Sequence, residues 1–222
     1  SGYRPHPIAC LDRATDTTFE DFVFRGGFGM GLVAQLSENV TLRGGGCFPR
    51  DRSEYSPNVI DATHFSNCRG TATVENCRFE GMMDDALNVH STCLGIVGRP
   101  APDRIRCRYM HPQAIGFGVF APGDDVRFIA GRTLENGFVG RVKAVETHDA
   151  REVTLTLAGP VPAGYGVGDA VENASWQCAV VFRNNTVANN RARGVLFTTP
   201  KRIVCEDNFF DHVSGAAILL AG

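Results

Sequence analysis

Two carboxylates stand side by side in GMMDDALNVHST, residues 81–92, at the mouth of an alternating apolar run that ends in His90. Adjacent like charges repel, and nothing beside Asp84 and Asp85 in the sequence neutralises them. Clustered carboxylates drive their pKa values apart, so that one keeps its proton while another ionises. That pairing suits acid–base hydrolysis of a glycosidic bond: the acid protonates the leaving oxygen and the base activates water. A third acid belongs with the two. The segment IDATHF, residues 60–65, parallels DDALNV, residues 84–89, and sets Asp61 24 residues before Asp85. Two plainer uses compete with catalysis: an Asp at a strand corner caps backbone N–H groups, and converging carboxylates bind calcium.

Further candidates follow from strand parity. In a regular strand after the pair, Leu87 and Val89 point inward, while Asn88 and His90 point outward in line with Asp84. His64 aligns with Asn88 in the preceding segment. His64, Asn88 and His90 are therefore candidate contacts for sugar hydroxyls. Arg50 joins them from the charged stretch FPRDRSEYSP, residues 48–57, along with Asp51, Arg52, Glu54 and Tyr55. The competing reading of that group is a solvated loop. Met82 and Met83 read as packing residues. Trp176, the only Trp, closes a core or stacks on a sugar.

What brings Asp61 to Asp84 and Asp85 is a repeat. Segments 16–36, 71–91, 179–199 and 202–222 each show an alternating strand, an Asn or Asp, a small polar turn and a second alternating strand; 39–48 begins the same way. The equivalent residues Asp21, Gly44, Asn76, Asn184 and Asp207 are separated by 23, 32, 108 and 23 positions. A 23-residue period without helical periodicity predicts an all-β chain, a right-handed parallel β-helix with two or three short strands per turn. Leucine-rich repeats share the period, but their Leu pattern and helix are absent. Turns stacked roughly 4.8 Å apart would set Asp61 within roughly 5–10 Å of the pair. The gap of 32 holds the charged loop. The gap of 108 holds its own alternating strands, DDVRFIAG, GRVKAVE and EVTLTLAG, and predicts a small inserted antiparallel β-barrel or sandwich over 94–177. The helical turns then cover 1–93 and 178–222. The chain opens near a turn and stops on AILLAG with no polar cap, which predicts the middle of a longer protein.

Composition narrows the partners. Twenty-two Lys and Arg against 24 Asp and Glu leave a net charge of −2, which gives no electrostatic reason to expect nucleic acid or an anionic membrane. No stretch is long and apolar enough for a membrane span, and the first residues show no basic n-region followed by an apolar h-region. Eight cysteines, none in a CxxC pair, argue against a zinc site and read as small core residues, with one or more disulfides as the alternative. Oligomeric state is not legible.

The run DATHFSNCRGTATVENCRFEGMMDDALNVHST, residues 61–92, followed by a β-barrel interruption and resumed turns, resembles glycoside hydrolase family 110. Those are exo-acting enzymes that remove terminal α-1,3-linked galactose. The resemblance implies an inverting mechanism with no metal or cofactor, acting on galactose-terminated oligosaccharides or glycoconjugates. By position Asp61 would be the general acid, while Asp84 and Asp85 hold and activate the water. A secreted or periplasmic bacterial setting is expected. The residues themselves leave two alternatives open. One is a β-helix hydrolase of an acidic polysaccharide, which the Arg residues of FPRDRS favour. The other is a non-catalytic glycan-binding β-helix.

Overall fold

The computed structural model describes residues 6–51, 53 and 60–221. The structure is all-β apart from one short 3₁₀ turn. It divides into two compact units, Ser1–His90 with Gln177–Gly222, and Ser91–Trp176. The second unit runs three residues earlier at its start than the 94–177 read from sequence, because the strand Leu87–His90 ends before Ser91 and the next strand starts at Leu94.

The first unit is three parallel sheets. The first sheet stacks Ala9–Asp12, Leu32–Gln35, Thr63–Ser66, Leu87–His90, Val195–Thr198 and Ile218–Leu220 in chain order. A second sheet stacks Thr15–Glu20, Glu38–Arg43, Arg69–Glu75, Ala179–Arg183 and Ile203–Glu206, and a third stacks Val23–Phe24, Gly46–Cys47, Arg78–Glu80, Thr186–Ala188 and Phe209–Asp211. Each pass of the chain lays one strand on each sheet. Leu87–His90 pairs in parallel with Val195–Thr198, 108 residues further along the sequence.

The corner between second and third sheets explains the polar repeat. Asp21, Gly44, Asn76, Asn184 and Asp207 all have φ between 49° and 68°, the left-handed region that Gly, Asn and Asp tolerate. The residue after this corner turns inward. Asn185 accepts from the Cys77 N–H at 2.9 Å and donates to the Val74 carbonyl at 3.0 Å, and Asn208 repeats the second bond to Phe182 at 2.8 Å. The Asn76 side chain accepts from the Asn184 carboxamide in the next layer. Asn76→Gly is expected to keep the backbone and lose only that bond. Asn76→Val forces a β-branched residue into the left-handed region, at a cost of about 1–3 kcal/mol. The check is a urea midpoint that falls at constant m-value for Val and much less for Gly.

Inside the three sheets lie Leu32, Leu42, Phe65, Phe79, Leu87, Phe182 and Phe197, each at most 1% exposed. Alternation works as the pleat requires: Leu87 and Val89 are buried, Asn88 and His90 half-buried. Met82 is fully buried in this core. The second unit is a closed antiparallel barrel ordered Leu94–Ala101, Arg104–Tyr109, Glu152–Leu157, Asn136–Thr147, Asp125–Ile129 and Ala170–Asn173. Leu94, Ile105, Phe128 and Leu155 fill it. All eight cysteines are free thiols; Cys47, Cys68, Cys77, Cys107 and Cys178 are buried and serve as packing residues, while Cys10 and Cys93 are exposed. No helix among the described residues is long and apolar enough to cross a membrane.

Candidate active site

The first sheet builds the site through its register. Thr63, Leu87 and Val195 are ladder partners on three adjacent strands. The residues two places earlier on those strands are Asp61, Asp85 and Arg193, so three equivalent positions present two acids and one guanidinium at successive layers. The rungs are held by backbone bonds: the Ala62 N–H donates to the Asp85 carbonyl at 2.8 Å, and the Ala86 N–H to the Gly194 carbonyl at 2.9 Å. On the strands flanking this trio the same position is Met30 and Ala216, so the charge is confined to three layers.

Within the trio the hydrogen bonds are asymmetric. Arg193 grips Asp85 with both arms of its fork, Nε to Oδ1 at 2.8 Å and Nη2 to Oδ2 at 2.9 Å. The Asp85 N–H donates to Asp61 Oδ1 at 3.1 Å, while Asp61 Oδ2 meets His64 Nδ1 at 2.7 Å. His64 Nε2 in turn lies 2.8 Å from His90 Nε2, the two rings edge to face at 4.7 Å. Asp61 and Asp85 are 2% and 0% exposed. Asp84 differs: its side chain is 42% exposed, and its nearest cation is Arg193 Nη2 at 3.6 Å.

These surroundings separate the acids electrostatically. Burial, with the Asp61 and Asp85 charges beside it, pushes Asp84 up to about 6, against a weaker opposing pull from Arg193. Burial also raises Asp85, with the Arg193 fork working against it. One guanidinium among three carboxylates cannot compensate them all, and the proton is retained where the hydrogen bonds are fewest. That place is Asp84.

The oxygens of Asp61, Asp84 and Asp85 come within 4.8 Å of one another, close enough to surround a cation. Four of the six carboxylate oxygen positions are already engaged, by Arg193, His64 and the Asp85 N–H. That donor set suits calcium poorly, since calcium takes six to eight free oxygen ligands. The fixed cation of the site is Arg193.

The chain was compared with known proteins. Residues 104–171, within the antiparallel unit, match the family model described as GLAA-B beta-barrel domain II. An alpha-1,3-galactosidase B of Akkermansia muciniphila is 50% identical over 220 residues, covering 99% of this chain and 28% of that protein. An alpha-1,3-galactosidase B of Bacteroides fragilis is 42% identical over 230 residues, covering 99% of this chain and 39% of that protein. An alpha-1,3-galactosidase A of Akkermansia muciniphila is 38% identical over 86% of this chain. The chain belongs to this alpha-1,3-galactosidase family. The resemblance to glycoside hydrolase family 110 carried by residues 61–92 therefore stands. The chain spans between about a quarter and two-fifths of the length of these curated galactosidases.

Of the residues singled out in this galactosidase-family chain, Asp61, Asp84, Asp85, His64 and His90 come together. Asn88 is the ladder partner of His64, and its carboxamide oxygen is buried with no hydrogen-bond partner among the described residues. Arg50 lies elsewhere, on a cleft shared with Met82 and Met83. Of the loop residues grouped with it, Arg52, Glu54 and Tyr55 fall outside the described residues, and Asp51 lines the same cleft. The residue that sequence reasoning missed is Arg193. It stands opposite Asp85 when the repeats are aligned, so its signal was present.

Proposed function

We propose that this chain carries the catalytic centre of a glycoside hydrolase that removes terminal α-1,3-linked galactose, with its three parallel sheets wound as a right-handed parallel β-helix. The relatives, alpha-1,3-galactosidases by name, supply the substrate class. The observation that carries the chemistry is the split within one cluster: a half-exposed Asp84 raised to about 6 beside two buried acids with engaged oxygens.

That split supports a division of labour other than the one the resemblance implies. Asp84 is the proton donor to the leaving oxygen, because of the three acids it is the exposed one and its carboxyl is raised to about 6. Asp61 is the base that takes the proton of the attacking water, and Asp85, locked by Arg193, orients that water. As the base, Asp61 accepts the Nδ1–H of His64, and His90 donates its Nε2–H to His64 Nε2, which fixes the tautomer. His64 and His90 thus serve Asp61 as positioning residues, a role different from sugar contact.

Inversion has one observation against it. One oxygen from each acid lies within 4.8 Å of the others, a closest approach shorter than the roughly 6.5–9.5 Å between carboxyl groups of inverting enzymes. What supports inversion is the bonding: a carboxylate with both oxygens held by an Arg fork, or by a histidine and an amide, is a poor nucleophile toward C1. Water is then the attacker, and no metal enters, since Arg193 supplies the positive charge. The test is hydrolysis of α-1,3-galactosyl oligosaccharides followed by proton NMR. β-Galactose is expected as the first product. α-Galactose appearing first would overturn inversion, and no galactose release would overturn the function.

A further inference from the structure

Beside the acids lies a cleft of about 870 Å³ that the mechanism does not use. Its wall includes Met82 and Met83, immediately before Asp84, and Arg191, two residues before Arg193. The cleft therefore adjoins the catalytic corner along the turns that lead into two neighbouring strands, Leu87–His90 and Val195–Thr198. Its charge is lopsided: Arg25, Arg50, Arg78 and Arg191 face only Asp51 and Glu80 as carboxylates among the described lining residues.

Two of these arginines are held in place. The guanidinium carbons of Arg25 and Arg78 both sit 4.9 Å from the centre of the Phe48 ring, and Arg25 Nε donates to the Phe48 carbonyl at 3.0 Å. Cation–π contact with one ring brings together two like charges that would otherwise separate. Glu80 accepts from Arg78 and from Asn189, 3.1 Å away, so it offsets one of the pair. Arg191 is exposed. Guanidinium forks match the planar or tetrahedral oxygens of carboxylate and sulfate, and forks fixed before binding lose little entropy on binding.

We infer that this cleft is a subsite for an acidic substituent, a sulfate ester or a uronic acid carboxylate, on the sugars that follow the terminal galactose. The inference rests on the proposed galactosidase reading, and it makes the enzyme one that prefers acidic glycans. Phe48, with two guanidiniums over it, acts here as the spacer of the anion site.

The experiment compares three substrates: a neutral α-1,3-galactosyl oligosaccharide, the same glycan sulfated on a penultimate sugar, and one carrying a uronic acid there. At low salt, kcat/KM is expected to be about tenfold higher for whichever acidic form fits, the size of one charge-assisted hydrogen-bond pair. The advantage should vanish in Arg191→Gln, in Arg25→Gln and at about 0.5 M salt, with turnover of the neutral glycan unchanged. Equal rates on all three substrates, or a preference that both variants keep, would overturn the inference. The two readings separate by calorimetry with the sulfated galactose-free product. Arginine-dependent binding without galactose release sinks the galactosidase reading and keeps the subsite; release without such binding does the reverse.

Discussion

Asp84→Asn is expected to cut kcat on α-1,3-galactosyl oligosaccharides by about 10²–10⁴-fold, the usual share of a general acid, with the fold unharmed. The diagnostic is the leaving group. A nitrophenyl galactoside departs without needing a proton, so Asp84→Asn should lose far less on it than on a disaccharide. Asp61→Asn should lose equally on both, because the base acts on water. If the aryl substrate rescues Asp61→Asn and not Asp84→Asn, the roles are exchanged. The pH profile makes a second check. The working form of Asp84 is protonated, so activity is present below about 6 and falls as pH rises through it. Stability carries the same sign. A carboxyl whose folded pKa is raised binds its proton more tightly folded than unfolded, and this contribution is lost as pH rises from its ordinary value toward about 6. Asp84→Asn should therefore melt no lower than wild type at pH 7, and a higher melting temperature there should shrink toward pH 4. A catalytic acid that costs stability is the expected trade at such a site.

How far the site could be read in advance depends on which signal each residue carries. The 23-residue period was legible because one corner needs a left-handed residue on every pass, and few side chains tolerate that conformation. Asp21, Gly44, Asn76, Asn184 and Asp207 all occupy it. The same period placed Asp61 against Asp85. Arg193 stands opposite Asp85 across 108 residues, where a basic residue by itself reads only as the absence of an acid. A cation in that column is its complement. The bond from His64 to Asp61 depends on a side-chain rotamer, which strand parity does not encode. Parity correctly sends His64 and His90 away from the core and says nothing of whether they meet a sugar or each other. The choice between two and three strands per turn stayed open for a different reason. Strands of two or three residues, such as Val23–Phe24 and Gly46–Cys47, are too short to show alternation. Barrel closure was equally silent, since an alternating run names its faces without naming its neighbour.

Arg193 carries the second large effect, and it divides between stability and chemistry. Removing one partner of a buried ion pair leaves the other charge unsolvated, at about 3–5 kcal/mol. Arg193 is 35% exposed, so water would recover part of that, and Arg193→Ala is expected to cost about 2–3 kcal/mol at pH 7. The loss should be smaller at pH 4, where Asp84, raised to about 6, holds its proton and needs no counter-charge; burial shifts Asp85 in the same direction. Arg193→Lys keeps the charge and loses the fork, so it should recover much of the stability while Asp85 is no longer held in one plane. A misplaced Asp85 mispositions the water, and displacements of that kind cost about 10²-fold in rate. The Lys variant should thus be folded and slow. The double variant Arg193→Ala with Asp85→Asn removes both charges, and its stability should exceed that of Arg193→Ala alone, a coupling that a double-mutant cycle reads directly. If Arg193→Ala were as stable as wild type at pH 7 and no more stable relative to it at pH 4, Arg193 would not be the charge that lets two buried acids sit in adjacent layers. The argument that water, and not a carboxylate, attacks the sugar would lose its support as well.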